Sequence, residues 1–335
     1  MPSSNQQRKE FDSMGFVSLS ADSYHGISTH RYAEKFFLSG QHIEELFIRS
    51  MAQAKKSALI VNEQSGLLDS GKSKAILKSC DEIIDGKFNE SFILNPFSTP
   101  EAFNTNMNEV IANRAIEIKK KNKGDYSIVS PNNDVNLNQS SLFMFQAAAK
   151  LTSLHILPSL LSNLSSLEKK LSKFSDENLL LCFHSIQRTS SMVKKAAEEM
   201  KKISFSSIGN ANHDSASHSS HPVFRENFVK QLRKETRVNL RLTPESNFQK
   251  LSSVLMLLAA DVISTAKHLK LKTKYDKEAA EACMMSCYHV IGNHQTVVHA
   301  TEQSSSSIAE SLVYRNVLHS LETMENAVKV MNTLF

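Results

Sequence analysis

Glycine is scarce in this chain, at 9 of 335 residues, or about 2.7% against a usual ~7%. Few glycines favour long helices, because glycine serves tight turns and strained loops. The shortage also weighs against Gly-rich nucleotide folds, and neither G-x-G-x-x-G nor G-x-x-x-x-G-K-[ST] occurs. Cysteine is equally sparse. Cys80, Cys182, Cys283 and Cys287 are too few and too scattered for the disulfide framework of a secreted domain, so a reducing, cytoplasmic setting is expected. Cys283 and Cys287 lie four apart on one helical face, but two thiols without a second pair make a poor zinc site. No metal or cofactor is expected.

An excess of one charge is missing too. Thirty-nine Lys and Arg against 34 Asp and Glu give +5, without the concentrated basic stripe of a nucleic-acid binder. The densest run, Lys119-Lys120-Lys121-Asn122-Lys123, reads as a solvated helix end whose cations suit the negative pole of the helix dipole. Long apolar runs are absent. Met1 to Phe11 is polar and charged, and the stretch Val254 to Ala260 ends at Asp261, so neither a signal peptide nor a membrane span is expected.

What the chain does contain is helical periodicity. Residues 1–20 show none and read as a loose arm. From Thr29 the apolar positions Phe36, Phe37, Leu38, Ile43, Leu46, Phe47, Met51 and Ala54 recur at steps of three and four up to about Asn62. Gly66-Leu67-Leu68-Asp69 breaks the pattern, and a second helix runs from Lys72 to Ile84, stopped by Asp85-Gly86. Asn89 to Phe103, with Pro96 and Pro100, reads as irregular, and Asn106 to Lys119 as helix. After the polar stretch Asn122 to Asn138 the chain becomes a series of long apolar-periodic segments: 139–172, 176–204, 222–236, 244–271, 276–300 and 306–333. Thr243-Pro244-Glu245 is a good helix start, with a hydroxyl N-cap, proline at the first position and an acid in the first turn. The next segment is apolar around almost its whole girth, as in a bundle core. Three divisions follow: an arm at 1–20, a helical domain at 21–137 and a helical bundle at 138–335.

No constellation supports catalysis by its own chemistry. His213, His218 and His221, with Asp214, are ligand-type residues on one Ser-rich loop, Ser206 to His221, which reads as solvent-exposed. Glu198, Glu199, Glu278 and Glu281 fall on helix surfaces, and no serine sits in G-x-S-x-G.

A family resemblance adds to this reading. Asn104-Thr105-Asn106-Met107-Asn108-Glu109-Val110-Ile111-Ala112-Asn113-Arg114-Ala115 resembles the N-M-N-x-N-E-V-I-A-N-R-A segment of aspartate ammonia-lyases and class II fumarases. Tyr24-His25-Gly26-Ile27-Ser28-Thr29-His30-Arg31 is similar to their Y-Y-G-I-Q-T-x-R, Gly66-Leu67-Leu68-Asp69 to G-L-L-D, and Asp81-Glu82-Ile83-Ile84-Asp85-Gly86-Lys87 to D-E-I-I-x-G-K. Val135-Asn136-Leu137-Asn138-Gln139-Ser140-Ser141 looks like H-V-N-x-S-Q-S-[ST], His221-Pro222 like the H-P after the G-T-G loop, and Val290-Ile291-Gly292-Asn293 like V-[IM]-G-N. The matches are collinear, and the likeness is greatest to aspartase. The resemblance implies an all-α fold with a helical N-terminal domain and a fumarate-lyase-type bundle. It also implies a homotetramer whose active sites, each shared by three subunits, eliminate ammonia or water from a four-carbon dicarboxylate.

The same comparison implies that the chemistry has been lost. The family's base is a serine on a mobile loop, G-S-S-x-M-P-G-K-V-N-P, whose lysine and asparagine stabilise the developing charge. At that place stands only Lys272-Thr273-Lys274-Tyr275-Asp276-Lys277-Glu278-Ala279-Ala280. The carboxylate-holding G-T-S-T-N falls on Pro100-Glu101-Ala102-Phe103-Asn104, and the family's asparagine and aspartate after S-Q-S-T become Leu142 and Phe143. The T-H-x-Q-D-A helix is barely legible in Phe183-His184-Ser185-Ile186-Gln187-Arg188, which would put Ser185 at the histidine. The G-T-G glycines fall within Ser215-Ala216-Ser217 and F-E-L-N on Ser304 to Ser307. The small C-terminal domain is expected to be missing. The expectation is therefore an inactive aspartase-like protein without catalytic residues, assembling with itself or with an active family member. The alternative is a lyase of residual or altered activity on aspartate or a related amine. If a remnant pocket persists, the resemblance implies that Asn104, Asn136, Ser140 and Ser141 line it.

Overall fold

The computed structural model describes residues 6–35, 39–95, 98–204, 222–243, 248–270, 276–302 and 307–335. Ten α-helices dominate them. The chain divides into two units, residues 1–149 with 203–245 and residues 150–202 with 246–335.

The first unit opens with a hairpin where the sequence reads as a loose arm. Strands β1 (Gln7–Asp12) and β2 (Gly15–Ser20) pair antiparallel, from Gln7 opposite Ser20 to Asp12 opposite Gly15. No hydrophobic alternation announces β1 because its buried position is filled by a charge, Glu10, with Arg8 beside it. The Arg8 guanidinium meets Glu10 at 2.8 Å and donates to the carbonyls of Ser20, Ser23 and His25. Four helices follow: α1 (Ile27–Lys35), α2 (Glu45–Gln64), α3 (Ser70–Ile84) and α4 (Pro100–Ile118). The single helix expected from Thr29 to Asn62 is thus two. The helix expected from Asn106 starts at Pro100, because the Thr99 side chain caps the Ala102 amide and proline sits at the first position. Asp69 likewise caps α3 through the Lys72 amide at 2.9 Å, a local reason for the Leu67-Leu68-Asp69 signature. Helix α2 packs on α3 and on α7 (Pro222–Thr236), and α3 packs on α4.

Helix α5 (Ser141–Leu171) starts in the first unit and continues into the second, which also holds α6 (Glu177–Met200), α8 (Gln249–Lys270), α9 (Lys277–Glu302) and α10 (Ser307–Thr333). In this second unit α8 packs on α6, α9 and α10, and α10 on α9. Glu325 of α10 accepts from Ser159 and Asn163 of α5. Helix α6 stops before the expected 204, since Lys202-Ile203-Ser204 alternates with a period of two and forms β3 (Lys202–Ser204) beside β4 (Arg241–Thr243). Helix α8 is long and apolar enough to cross a membrane by length and composition. Its Leu251, Leu255, Leu258, Val262, Ala266 and Leu269 are nonetheless buried, as in the core helix of a bundle. The helix start read at Thr243-Pro244-Glu245 does not form at Thr243, which ends β4; Pro244 and Glu245 lie outside the described residues, and α8 runs from Gln249.

Lys150 is buried in the second unit with its ammonium against the Lys202 carbonyl, and burial lowers its pKa to about 7. The unfolded chain keeps that proton up to about pH 10.4, so folding expels it between these limits. Stability is therefore expected to rise from pH 7 towards pH 10. Lys150→Met should remove about one proton from that slope in chemical denaturation repeated across the range.

Candidate functional site

Residues of the resemblance build two polar clusters in the first unit. One is built around the start of α1. The Glu109 carboxylate accepts from the amides of Gly26 (2.8 Å), Ser28 (3.0 Å) and Thr29 (3.1 Å), while Glu10 accepts from Ile27 at 2.9 Å. Two acids therefore fill the free amides of a helix N-terminus, where the dipole also favours negative charge. Burial pushes the Glu109 carboxyl up against the amides that pull it down. Asn113 joins the Tyr24 carbonyl, the Tyr126 hydroxyl and the Gly124 amide, and Arg114 pairs with Glu82 and Glu117. The N-E-V-I-A-N-R-A signature is thus held by framework interactions.

The second cluster brings together three of the four expected pocket residues. Asn104 of α4 donates through Nδ2 to Asn136 Oδ1 at 3.0 Å and to Ser141 Oγ at 3.0 Å. Asn136 follows a π-turn, Pro131–Val135, whose start is capped by Ser130. Ser141 opens α5. Ser140 contributes its carbonyl to the Met144 amide, and the structure does not bring its hydroxyl into the network. Asn104 is buried and its Oδ1 has no protein partner, the kind of orphan that a water or a ligand donor fills.

Lys55 completes the cluster, and the sequence reading passed over it. From the buried face of α2 its Nζ donates to Asn136 Oδ1 at 2.8 Å. Burial holds its pKa well below the ordinary lysine range, and the neighbouring Cys80 thiol is pushed up to about 12 by the same cause. Burial thus disfavours the charged form of both groups. Lys56 shows the contrast. Burial lowers its pKa too, but Asp81 at 2.8 Å and Glu235 at 2.7 Å outweigh that and raise it, so it stays charged. The signal for Lys55 was available, since it stands four residues after Met51 and four before Leu59 on the apolar stripe of α2.

Where the resemblance needs an open carboxylate cradle, aromatic rings pack instead. Phe103 lies 6.3 Å from Phe47 and 5.7 Å from Phe145, and Phe47 lies 5.0 Å from Phe145. Phe143 is buried 5.1 Å from Phe228. Asp214, His213, His218, His221, Ser215 to Ser217 and Ser304 to Ser306 lie outside the described residues. Among the described residues no group of three or more His, Cys, Asp or Glu is placed to hold a metal ion.

Residues 15–180 match a family model described as lyase. Aspartate ammonia-lyase of a Bacillus species is 38% identical over 172 residues, covering 51% of this chain and 37% of that protein. Class II fumarate hydratase of Campylobacter jejuni is 38% identical over 176 residues, covering 50% and 38%. The crystal structure of a fumarate lyase:delta crystallin from Brucella melitensis has the same fold, with a TM-score of 0.86 at 23% identity over 98% of this chain and 87% of that one. The chain belongs to the aspartase–fumarase superfamily. These matches span less than two fifths of the curated aspartase and fumarase.

Proposed function

We propose that the chain is a catalytically silent, cytoplasmic aspartase-like protein that keeps the helical bundle and acts by assembly, with itself or with an active lyase subunit. The observation that carries the reading is the joint between α8, ending at Lys270, and α9, beginning at Lys277. Only Leu271-Lys272-Thr273-Lys274-Tyr275-Asp276 stands there, with no serine, asparagine or glycine. Abstracting a weakly acidic C–H proton needs a base together with preorganised cationic donors, so losing both should cost orders of magnitude in rate. The aromatic packing around Phe103 supports the same reading, because it sets apolar bulk where a dicarboxylate would need donors.

Assembly through the bundle is supported by apolar side chains left on the second unit's surface, including Leu180 and Leu181 of α6 and Met285 and Tyr288 of α9. Native mass of the full chain tests it: a tetramer, or a mixed tetramer after co-expression with an active aspartase, is expected, and a monomer in both preparations contradicts it.

A lyase of residual or altered activity has one observation in its favour. The Lys55 amine lies beside Asn104 and Asn136, and burial lowers its pKa towards that of a substitute base. On that reading fumarate release from L-aspartate persists in the wild-type chain and disappears in Lys55→Met.

A further inference from the structure

The seam between α9 and α10 gathers three sulfur atoms that neither the resemblance nor the proposed function uses. Cys283 and Cys287 stand four residues apart on the buried face of α9, away from the exposed Met285 and Tyr288. Two thiols are too few for a structural zinc site, which takes four ligands. The third sulfur belongs to Met324, buried on α10, the helix that packs along α9.

Contacts across the seam arrange these atoms. The Cys287 thiol points at the Met324 thioether, with Sγ and Sδ 4.0 Å apart, and the Cys283 thiol donates to the Ala327 carbonyl at 3.6 Å, about one turn further along α10. A thioether is a weak acceptor, so a thiol hydrogen directed at it gains little. The spacing suits a metal ion better. Two sulfurs about 2.3 Å from one cation stand about 4.6 Å apart when the three atoms are in line and about 4.0 Å apart at an angle of 120°. The observed separation is therefore that of a trigonal site, which calls for a third ligand, and the four-residue step sets Cys283 on the same face as Cys287 to supply it. Buried Ala280 and Val290 on α9, and Val328 and Met331 on α10, flank these positions and keep the seam apolar.

We propose that Cys283, Cys287 and Met324 form a binding site for one soft monovalent cation, of which copper(I) is the type. Thiolate and thioether sulfur select that ion, whereas zinc takes four ligands in a closed site and the hard divalent ions take oxygen. The cation occupies the place of the proton between Cys287 and Met324. A Cys287 sulfur–metal bond forms as the S–H bond breaks, the proton leaves to solvent, and no atom changes oxidation state. Cys283 keeps its hydrogen on the Ala327 carbonyl and offers a sulfur lone pair. One thiolate, one thiol and one thioether then surround one positive charge, so the site stays neutral where a net charge would be costly. Burial holds both thiols protonated in the metal-free chain, with Cys283 pushed up to about 11 and Cys287 to about 12, so the cation has a proton to displace.

The experiment titrates the reduced, native full chain under anaerobic conditions with copper(I) held by bicinchoninate, and measures the metal retained after desalting together with the ultraviolet sulfur-to-copper band. A second sample is refolded with the same reagent, so that slow entry to the buried sulfurs does not decide the outcome. One equivalent retained after refolding is expected, with a raised melting temperature. Cys287→Ser should abolish retention. Met324→Leu, which conserves core volume, should weaken it by more than about tenfold, the loss that even an outer contact of a metal site causes. Cys80→Ser and Cys182→Ser should retain the metal as the wild type does. Circular dichroism confirms that each variant is folded, and Cys287→Ala serves if the serine variant is not. No copper retained in either sample, unchanged retention in folded Cys287 and Met324 variants, retention lost with Cys80 or Cys182, or zinc(II) held as tightly as copper(I) would overturn the proposal.

Discussion

Replacing Lys55 by methionine is expected to stabilise this protein, although it deletes a 2.8 Å hydrogen bond from a buried cluster. Burial in the folded chain lowers the Lys55 pKa well below the ordinary value, while the unfolded chain carries the proton up to about pH 10.4. Across that window the unfolded state binds more protons. Stability therefore rises with pH, by up to about 1.4 kcal/mol per unit for this group, between its lowered folded pKa and the ordinary one, and is lost as pH falls through that window. Methionine fills a similar volume without the penalty. It leaves no new orphan either, since Asn136 Oδ1 still accepts from Asn104 Nδ2 at 3.0 Å. A gain of about 2 kcal/mol at pH 7 is expected, within the range seen when buried ionisable groups are replaced by apolar ones. Urea unfolding at pH 7 and pH 9 checks it. The wild type should gain more than the variant between the two pH values, and equal gains would show that Lys55 is charged in the folded state. Lys150 adds its own slope over part of this range, so the Lys150→Met background isolates the effect.

Gly26→Ala is expected to act in the opposite direction and more strongly. A methyl group at Gly26 would fall 2.2 Å from the Tyr126 hydroxyl and 2.8 Å from the Glu109 carboxyl carbon. Both groups are tied into the start of α1, so neither can yield without breaking buried hydrogen bonds. Overpacking of this kind costs about 1–3 kcal/mol, and each buried amide left orphaned adds about 1–3. A loss of at least ~3 kcal/mol is expected from the shift of the urea midpoint at constant slope. Glu109→Ala, which strands the amides of Gly26, Ser28 and Thr29, should lose a similar amount, and the double variant less than the sum because the two changes break one network. A loss under ~1 kcal/mol in both single variants would remove Glu109 from its capping role.

These two effects also show which parts of the molecule the sequence could reveal. The later helices were legible to within about five residues: 222–236 was expected and observed for α7, 276–300 stands against 277–302 for α9, 306–333 against 307–333 for α10, and 244–271 against 249–270 for α8. Their apolar stripes run long and are separated by polar joints, which is the condition under which a 3.6-residue period speaks clearly. The hairpin at 7–20 was not legible, because Glu10 is buried by hydrogen bonds rather than by hydrophobicity. The same holds for Lys55. Its spacing from Met51 and Leu59 fits the inner stripe of α2, yet a lysine reads as solvated until the neighbouring elements are known to surround it. Asn104, Asn136 and Ser141, far apart in sequence, were named together only through the resemblance, and their mutual hydrogen bonds come from the packing of the first unit. Ser140, one residue away, turns its carbonyl into the first turn of α5.

The framework residues of the superfamily therefore persist where they hold backbone. Glu109 caps α1, Asp69 caps α3 and Arg114 ties α4 to Glu82. The positions that the resemblance assigns to substrate are occupied by Phe103, Leu142 and Phe143, and the loop that would carry the base is six residues long. On the proposed reading, a chain under selection for assembly keeps the first set and is indifferent to the second.

The most direct test is fumarate formation from L-aspartate, and separately from L-malate, followed by ultraviolet absorbance at high concentration of the purified full chain. No turnover above a mock purification, under conditions where an active aspartase is readily measured, is the result predicted. Turnover that co-purifies with the chain and falls away in Lys55→Met would contradict the silent reading and make Lys55 the base.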